Sequence, residues 1–205
     1  MLTRAMLPTT LAATLATTLA ATLALALAGC VSLSPDPPES LLTLTAVRAA
    51  PAGAAVSGEA ASALAVVEPA TDQRLNAVRV PVQVSDSSLA YLKDAVWVEK
   101  PARLFQRLLS ETIRAGGSRL VVGEGDLGYT AANKLSGRLL EMGYDAGSGE
   151  VVVSYDAVLE APDGQVRSQR FESRVPGVAP EVESVGPALN RAANDVAGQV
   201  AAWVG

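Results

Sequence analysis

The chain has 205 residues, no histidine and one cysteine, and its 21 acidic against 16 basic residues give a net charge of −5. Without histidine there is no His-based triad, general base or metal ligand, and a single cysteine forms neither an internal disulfide nor a zinc or iron–sulfur cluster. Acidity argues against nucleic acid as a partner. Carboxylate-based hydrolysis is the remaining catalytic option. The acids are scattered, with no pair standing out at a strand end, so the chain reads as a non-enzyme.

From the N-terminus, Arg4 supplies a positive charge, and Leu11 to Ala28 is built almost wholly of Leu, Ala and Thr. This is the layout of an export signal, a charged n-region followed by an apolar h-region. The tract closes on Leu27-Ala28-Gly29-Cys30, whose small residues give a peptidase access just before the cysteine, the pattern of a bacterial lipoprotein signal. Residues 1–29 are expected to be removed by cleavage between Gly29 and Cys30. Cys30 then carries the covalent acyl and diacylglycerol lipid, palmitate among its candidates, and no other cofactor is expected. The rival is an uncleaved membrane span, since about 20 apolar residues cross a bilayer; the threonines from Thr9 to Thr22 weigh against it. The 205 residues less the first 29 leave 176, enough for one domain with a sizeable core. Losing Arg4 takes the net charge from −5 to −6, which leaves acyl chains rather than a polybasic surface as the membrane attachment. Val31 and Ser32 follow the cysteine with no aspartate directly behind it, so the expected location is the outer membrane, facing the periplasm.

Residues 30–40 include Pro35, Pro37 and Pro38 and read as an extended tether. At no more than about 3.3–3.6 Å per residue it holds the following domain within roughly 35 Å of the bilayer. Residues 41–205 are expected to be that single periplasmic domain. Leu41 to Val47 alternates as a first strand, and Arg48 to Ser62 is an Ala/Gly-rich loop. Leu64 to Val67 is a strand, and Val78, Val80, Val82 and Val84 repeat at period two, with one face buried. Pro81 donates no ladder hydrogen bond, which puts that strand at an edge or makes it change partners. Leu89 to Leu92 and Ala95 to Val98 flank Lys93-Asp94 as a hairpin or a bent connection. Pro101 opens a helix that Gly116-Gly117 ends. Its apolar stripe is Leu104, Phe105, Leu108, Leu109 and Ile113, with Arg103, Gln106, Arg107, Ser110, Glu111 and Arg114 opposite.

Arg119 to Val122 is the next strand. Lys134 to Tyr144, Val151 to Glu160 and Val166 to Val175 form an antiparallel meander through two hairpin turns, with Val151, Val153, Tyr155, Ala157 and Leu159 on one face. Val182, Val185, Leu189, Ala193, Val196, Val200 and Trp203 then mark an amphipathic helix, bent or restarted at Gly186-Pro187. The class is α+β: a mixed, largely antiparallel sheet with a three-strand C-terminal meander and two amphipathic helices on one face.

Gly123-Glu-Gly-Asp-Leu-Gly128 matches G-x-G-x-x-G, yet a strand pattern follows where a helix should begin, and Glu124 and Asp126 would repel a pyrophosphate. It reads as a glycine-rich loop, and Ser148 within Gly-Ser-Gly reads as a turn residue. Tyr91, Trp97 and Phe105 cluster around the first helix, where core packing and partner docking are both open readings. The connection from Tyr91 to Pro101 presents Tyr91, Lys93, Asp94, Trp97 and Lys100 as the candidate partner interface.

From Asn76 to Leu109, Val-Arg-Val-Pro-Val followed by Leu-Ala-Tyr-Leu-Lys-Asp-Ala-Val-Trp-Val-Glu-Lys-Pro-Ala-Arg-Leu-Phe-Gln-Arg-Leu-Leu resembles the ABC-type transport auxiliary lipoprotein family. The resemblance continues through Leu135-Ser-Gly-Arg-Leu and Tyr155-Asp-Ala to Ala188-Leu-Asn-Arg-Ala-Ala-Asn-Asp-Val-Ala. It implies a non-catalytic accessory of ABC transporters whose substrate-binding subunits carry MCE (mammalian cell entry) domains and move lipids or hydrophobic compounds across the Gram-negative envelope. The implied partner is the MCE-domain subunit. The Arg48 to Ser62 insert departs from the family's compact strand connection. The alternative is a structural envelope lipoprotein unrelated to transport.

Overall fold

The computed structural model describes residues 40–117, 119–122 and 131–205. Gly29, Cys30, residues 31–39 of the tether and the Gly123–Gly128 loop lie outside the described residues. Among the described residues the strands are β1 (Leu64–Val66), β2 (Arg79–Ser85), β3 (Ser88–Val96), β4 (Val121–Val122), β5 (Asn133–Asp145), β6 (Glu150–Glu160) and β7 (Val166–Val175). The helices are α1 (Pro101–Ala115) and α2 (Val182–Val204). The seven strands form one mixed sheet with both helices packed on one face, so the α+β class holds.

The meander forms because its links carry turn chemistry and its strands alternate. Asp145 accepts from Gly147 N–H at 2.8 Å and fixes the first turn, and Ala161 N–H donates to Gln165 across the second at 2.9 Å. β5 pairs antiparallel with β6 from end to end, and β6 with β7. Val151, Val153, Tyr155, Ala157 and Leu159 face the helices and are buried.

The other edge of β5 is shared. β1 pairs parallel to its first residues and β2 parallel to its last, at Val82↔Tyr144 and Gln83↔Asp145, while Ala70 bridges Arg138 between them. Thus a 13-residue strand finds partners for its backbone along both sides. One bulge, at Leu140, leaves its carbonyl for Arg74 Nη2 at 2.7 Å. Pro81 sits just before β2 gains a second neighbour: it faces Tyr91 of β3, which stays paired through Ser85, and the pairing with β5 begins at Val82. Of the four period-two valines only Val80 is fully buried; Val82 is half-buried, and Val78 and Val84 are exposed.

Gly137 makes room for an aromatic. Its φ is +151°, and a Cβ there would collide with the Asp156 carbonyl and the Tyr155 hydroxyl. Tyr155 donates to Ser136 O at 2.8 Å, and its ring meets Phe105 of α1 edge-on, with centroids 5.3 Å apart at 67°. Burial pushes the Tyr155 phenol far above its ordinary value, so it stays protonated and donating.

Pro101 is the first residue of α1, where its missing N–H costs nothing. Leu104, Phe105, Leu108, Leu109 and Ile113 are buried as the stripe requires. Gln106 corrects the expectation of a solvent-facing side chain. It is buried and donates from Nε2 to Val66 O at 2.9 Å, serving the carbonyl at the end of β1. The alternative of a helix restarted at Gly186-Pro187 is corrected, since Val182–Val204 is one continuous helix. Pro187 lies early in it, so a single backbone bond is forgone, and burial of Val185, Ala188 and Leu189 around it offsets that loss.

Leu41 to Val47 is not a strand of the sheet. Leu42 alone bridges Trp97, with Leu42 N–H to Val96 O at 2.7 Å and Val98 N–H to Leu42 O at 2.9 Å. Beyond Leu42 the neighbouring chain turns into α1 and no ladder partner remains. The segment continues as an extended strap over the helices. Thr45 N–H donates to Asn190 Oδ1 and Val47 N–H to Asn194 Oδ1, both at 2.8 Å, and Asn194 Nδ2 donates to Thr45 O at 2.9 Å. Leu42, Leu44 and Ala46 still pack on the core, which explains the alternation. A Cβ on Gly186 would stand 2.8 Å from Leu42 Cδ2, so glycine lets the strap lie this close to α2.

Candidate partner-docking site

The segment from Tyr91 to Pro101 is neither a hairpin nor a simple bend. Arg79 pairs with Val96 and Pro81 with Tyr91, so β3 carries extra residues opposite Val80 and bulges. Asp94 takes φ +58°, a left-handed conformation that Asp and Asn tolerate better than most residues. Leu92 and Ala95 at the feet of the bulge are buried in the core. Its tip is Lys93 and Asp94, whose side chains are 92 and 69 % exposed and 3.8 Å apart. Two buried feet therefore hold one projecting pair of opposite charges, a geometry suited to orienting a partner.

Tyr91 lies three residues from Asp94 on the same strand. Arg79 stacks over its ring at 4.9 Å, and the Tyr91 hydroxyl stands 3.5 Å from Arg74 O. Lys100 is exposed immediately before α1 and makes no side-chain cap for it. Trp97, grouped with these residues on sequence, is 2 % exposed and belongs to the core. Its indole is part of the main hydrophobic core, and the sequence could not distinguish that role from display. No hydrogen bond among the described residues reaches its Nε1. The structure therefore gathers Tyr91, Lys93 and Asp94 on one strand, sets Lys100 at the adjoining helix start, and withdraws Trp97 beneath them.

Sequence reasoning missed Arg79, which orders Tyr91, and Asn190 and Asn194, which hold the strap. A signal for the latter was available, because two asparagines four residues apart inside a helix sit at low-propensity positions and share one face. On the uncovered sheet face, Arg138, Asp156 and Arg170 align across β5, β6 and β7. The hydrogen bonds from Arg170, 2.6 and 2.8 Å long, hold the Asp156 carboxyl below its ordinary range, with Arg138 adding to the effect. Among the described residues no cluster of three or more potential metal-binding side chains occurs, and no helix is long and apolar enough to cross a membrane.

The sequence profile described as the ABC-type transport auxiliary lipoprotein component matches residues 42–201. The fold is similar to that of a Xanthomonas campestris protein of the DUF330 family, at 18% identity over 80% of this chain and 93% of that one, with a TM-score of 0.64. It is also similar to that of an uncharacterized protein at 16% identity over 70% of this chain and 92% of that one, with a TM-score of 0.59. At such identities the likeness shows the fold alone. No curated protein matches the chain.

Proposed function

The chain belongs to the ABC-type transport auxiliary lipoproteins, and from that premise we propose that it is a non-catalytic docking component of an MCE-type transport system. In this reading residues 1–29 are removed, Cys30 is acylated, and the domain is held at the periplasmic face of the outer membrane. There it engages the MCE-domain subunit and assists movement of lipids or hydrophobic compounds across the envelope. The observation that carries the reading is the family match across nearly all of the domain. The β3 bulge supports it by offering a rigid, exposed charge pair beside Tyr91 and Lys100.

The test is retrieval of the MCE-domain subunit by the lipoprotein from solubilised envelopes, compared with Lys93→Glu combined with Asp94→Asn. Asparagine keeps the left-handed backbone comfortable, so the variant reverses the charge at position 93 and removes the one at 94 without loading the bulge with strain. The fold should be retained and capture should fall. Full capture by the folded variant would move the interface elsewhere, and failure of the unaltered protein to retrieve an MCE subunit would overturn the partnership. Cys30→Ser should abolish lipid labelling and release the protein from membrane fractions. An unmodified Cys30 in intact mass would remove the anchor, and cofractionation with inner-membrane markers would overturn the outer-membrane assignment.

A further inference from the structure

Among the described residues, the strap is held at three places and open between two of them. Leu42 is bonded to β3, Thr45 and Val47 to the asparagines of α2, and Ala50 N–H to Glu111 Oε1 of α1 at 2.8 Å. In an extended chain the N–H and C=O of successive residues point to opposite sides. Thr45 and Val47 turn theirs to α2. Leu44 and Ala46 share the parity of Leu42 and turn theirs to the other side, where β3 gives way to α1. No hydrogen bond among the described residues uses those backbone groups.

Between this edge and α1 lies a groove of about 970 Å³, walled by Leu44 and Ala46 on one side and by Arg103, Arg107 and Arg114 with Glu99 and Glu111 on the other. Arg103 is paired with Glu68 and Arg107 with Glu99, and in each pair the arginine is the more exposed partner, at 61 against 30 % and 57 against 34 %. The groove lining holds three arginines against two glutamates, a small excess of positive charge. Exposed pairs of this kind exchange partners at little cost. The spacing is also selective. Four helical residues rise about 6 Å, close to the roughly 6.6–6.8 Å between alternate residues of a strand.

We propose that this groove binds an extended acidic peptide segment of a partner protein by strand addition. The peptide backbone pairs with Leu44 and Ala46, and carboxylates at alternate positions meet Arg103 and Arg107. An acyl chain would leave the strap's backbone groups bare, and a helix has no free backbone groups to offer them. The groove is separate from the β3 bulge, and the proposal does not depend on the identity of the transport partner.

The probe is a blocked fluorescent peptide, Thr-Val-Glu-Val-Glu-Val-Thr, titrated by anisotropy onto the full-length lipoprotein in zwitterionic detergent. Saturable binding is expected, weakened about tenfold or more by Arg103→Gln with Arg107→Gln, a loss of about 1.4 kcal/mol or more. A second measurement needs no protein variant. N-methylation of the alternate amides that face the strap should abolish binding, and N-methylation of the intervening amides should leave it within about twofold, since only one register of a strand pairs with an edge. Absence of saturable binding at millimolar peptide would overturn the proposal, as would equal loss from both methylation registers, which marks an electrostatic contact without strand addition. Arginine-dependent binding of phosphatidylglycerol vesicles without peptide binding would make the groove a lipid-headgroup site and overturn it equally.

Discussion

The meander and the strap are both extended chain, yet they are held by different chemistry. In β5, β6 and β7 backbone satisfies backbone across long registers, and side-chain bonds such as Tyr155 to Ser136 are additions to that ladder. In the strap, one residue pairs with the sheet and the next contacts are amide and carboxylate side chains of two helices. The first arrangement is cooperative, because a residue leaves its ladder only by disturbing its neighbours. The second is a series of separate ties that can open while the domain stays folded.

The largest effect on the meander is expected at Gly137. Gly137→Ala puts a methyl group against the Asp156 carbonyl in a conformation that side chains rarely adopt, and about 4 kcal/mol of destabilisation is expected from the strain and the displaced ladder. A denaturation midpoint close to that of the unaltered protein would show that β5 and β6 are not so tightly registered. Next, Leu139→Ala removes a fully buried side chain between sheet and helices and should cost about 3 kcal/mol by chemical denaturation. An unchanged midpoint would place Leu139 outside the core.

Asn190→Ala with Asn194→Ala tests the strap from the other side. Global stability should fall by only about 1–2 kcal/mol, while amide exchange at Thr45 and Val47 accelerates about tenfold or more and exchange in β6 keeps its place among the slowest amides. Loss of protection across both regions together would show that strap and meander form one cooperative unit after all.

The smallest effect is expected at the Asp156–Arg170 pair on the exposed sheet face. The folded Asp156 carboxyl titrates below its ordinary value of 3.8, so its contribution is present above that value and is lost as pH falls through the lower folded value. Asp156→Asn should therefore be slightly less stable than the parent near neutral pH and equal to it in strong acid. A constant difference across that range would assign the pair no role in the pH dependence.

Composition and periodicity were sufficient for the α+β class, the meander, both amphipathic stripes and the start of α1 at Pro101, because each depends on contacts near in sequence or on one repeating face. They also located the exposed Lys93 and Asp94, while the left-handed bulge that displays them was hidden, since no residue type there demands it. Trp97 illustrates the limit: an indole beside a helix start suits a core and a docking surface equally, and only its burial in the assembled core decides between them.

Leu41 to Val47 shows the same division most clearly. Its alternation correctly reported which side chains turn inward, because burial follows the period of an extended chain whatever holds it. Beyond the bridge of Leu42 to β3, its hydrogen-bonding partners lie more than a hundred residues away on α2, and they are side chains rather than a strand. Local pattern therefore determined the conformation of the segment, and tertiary packing alone decided what it pairs with and that one of its edges is left facing a groove.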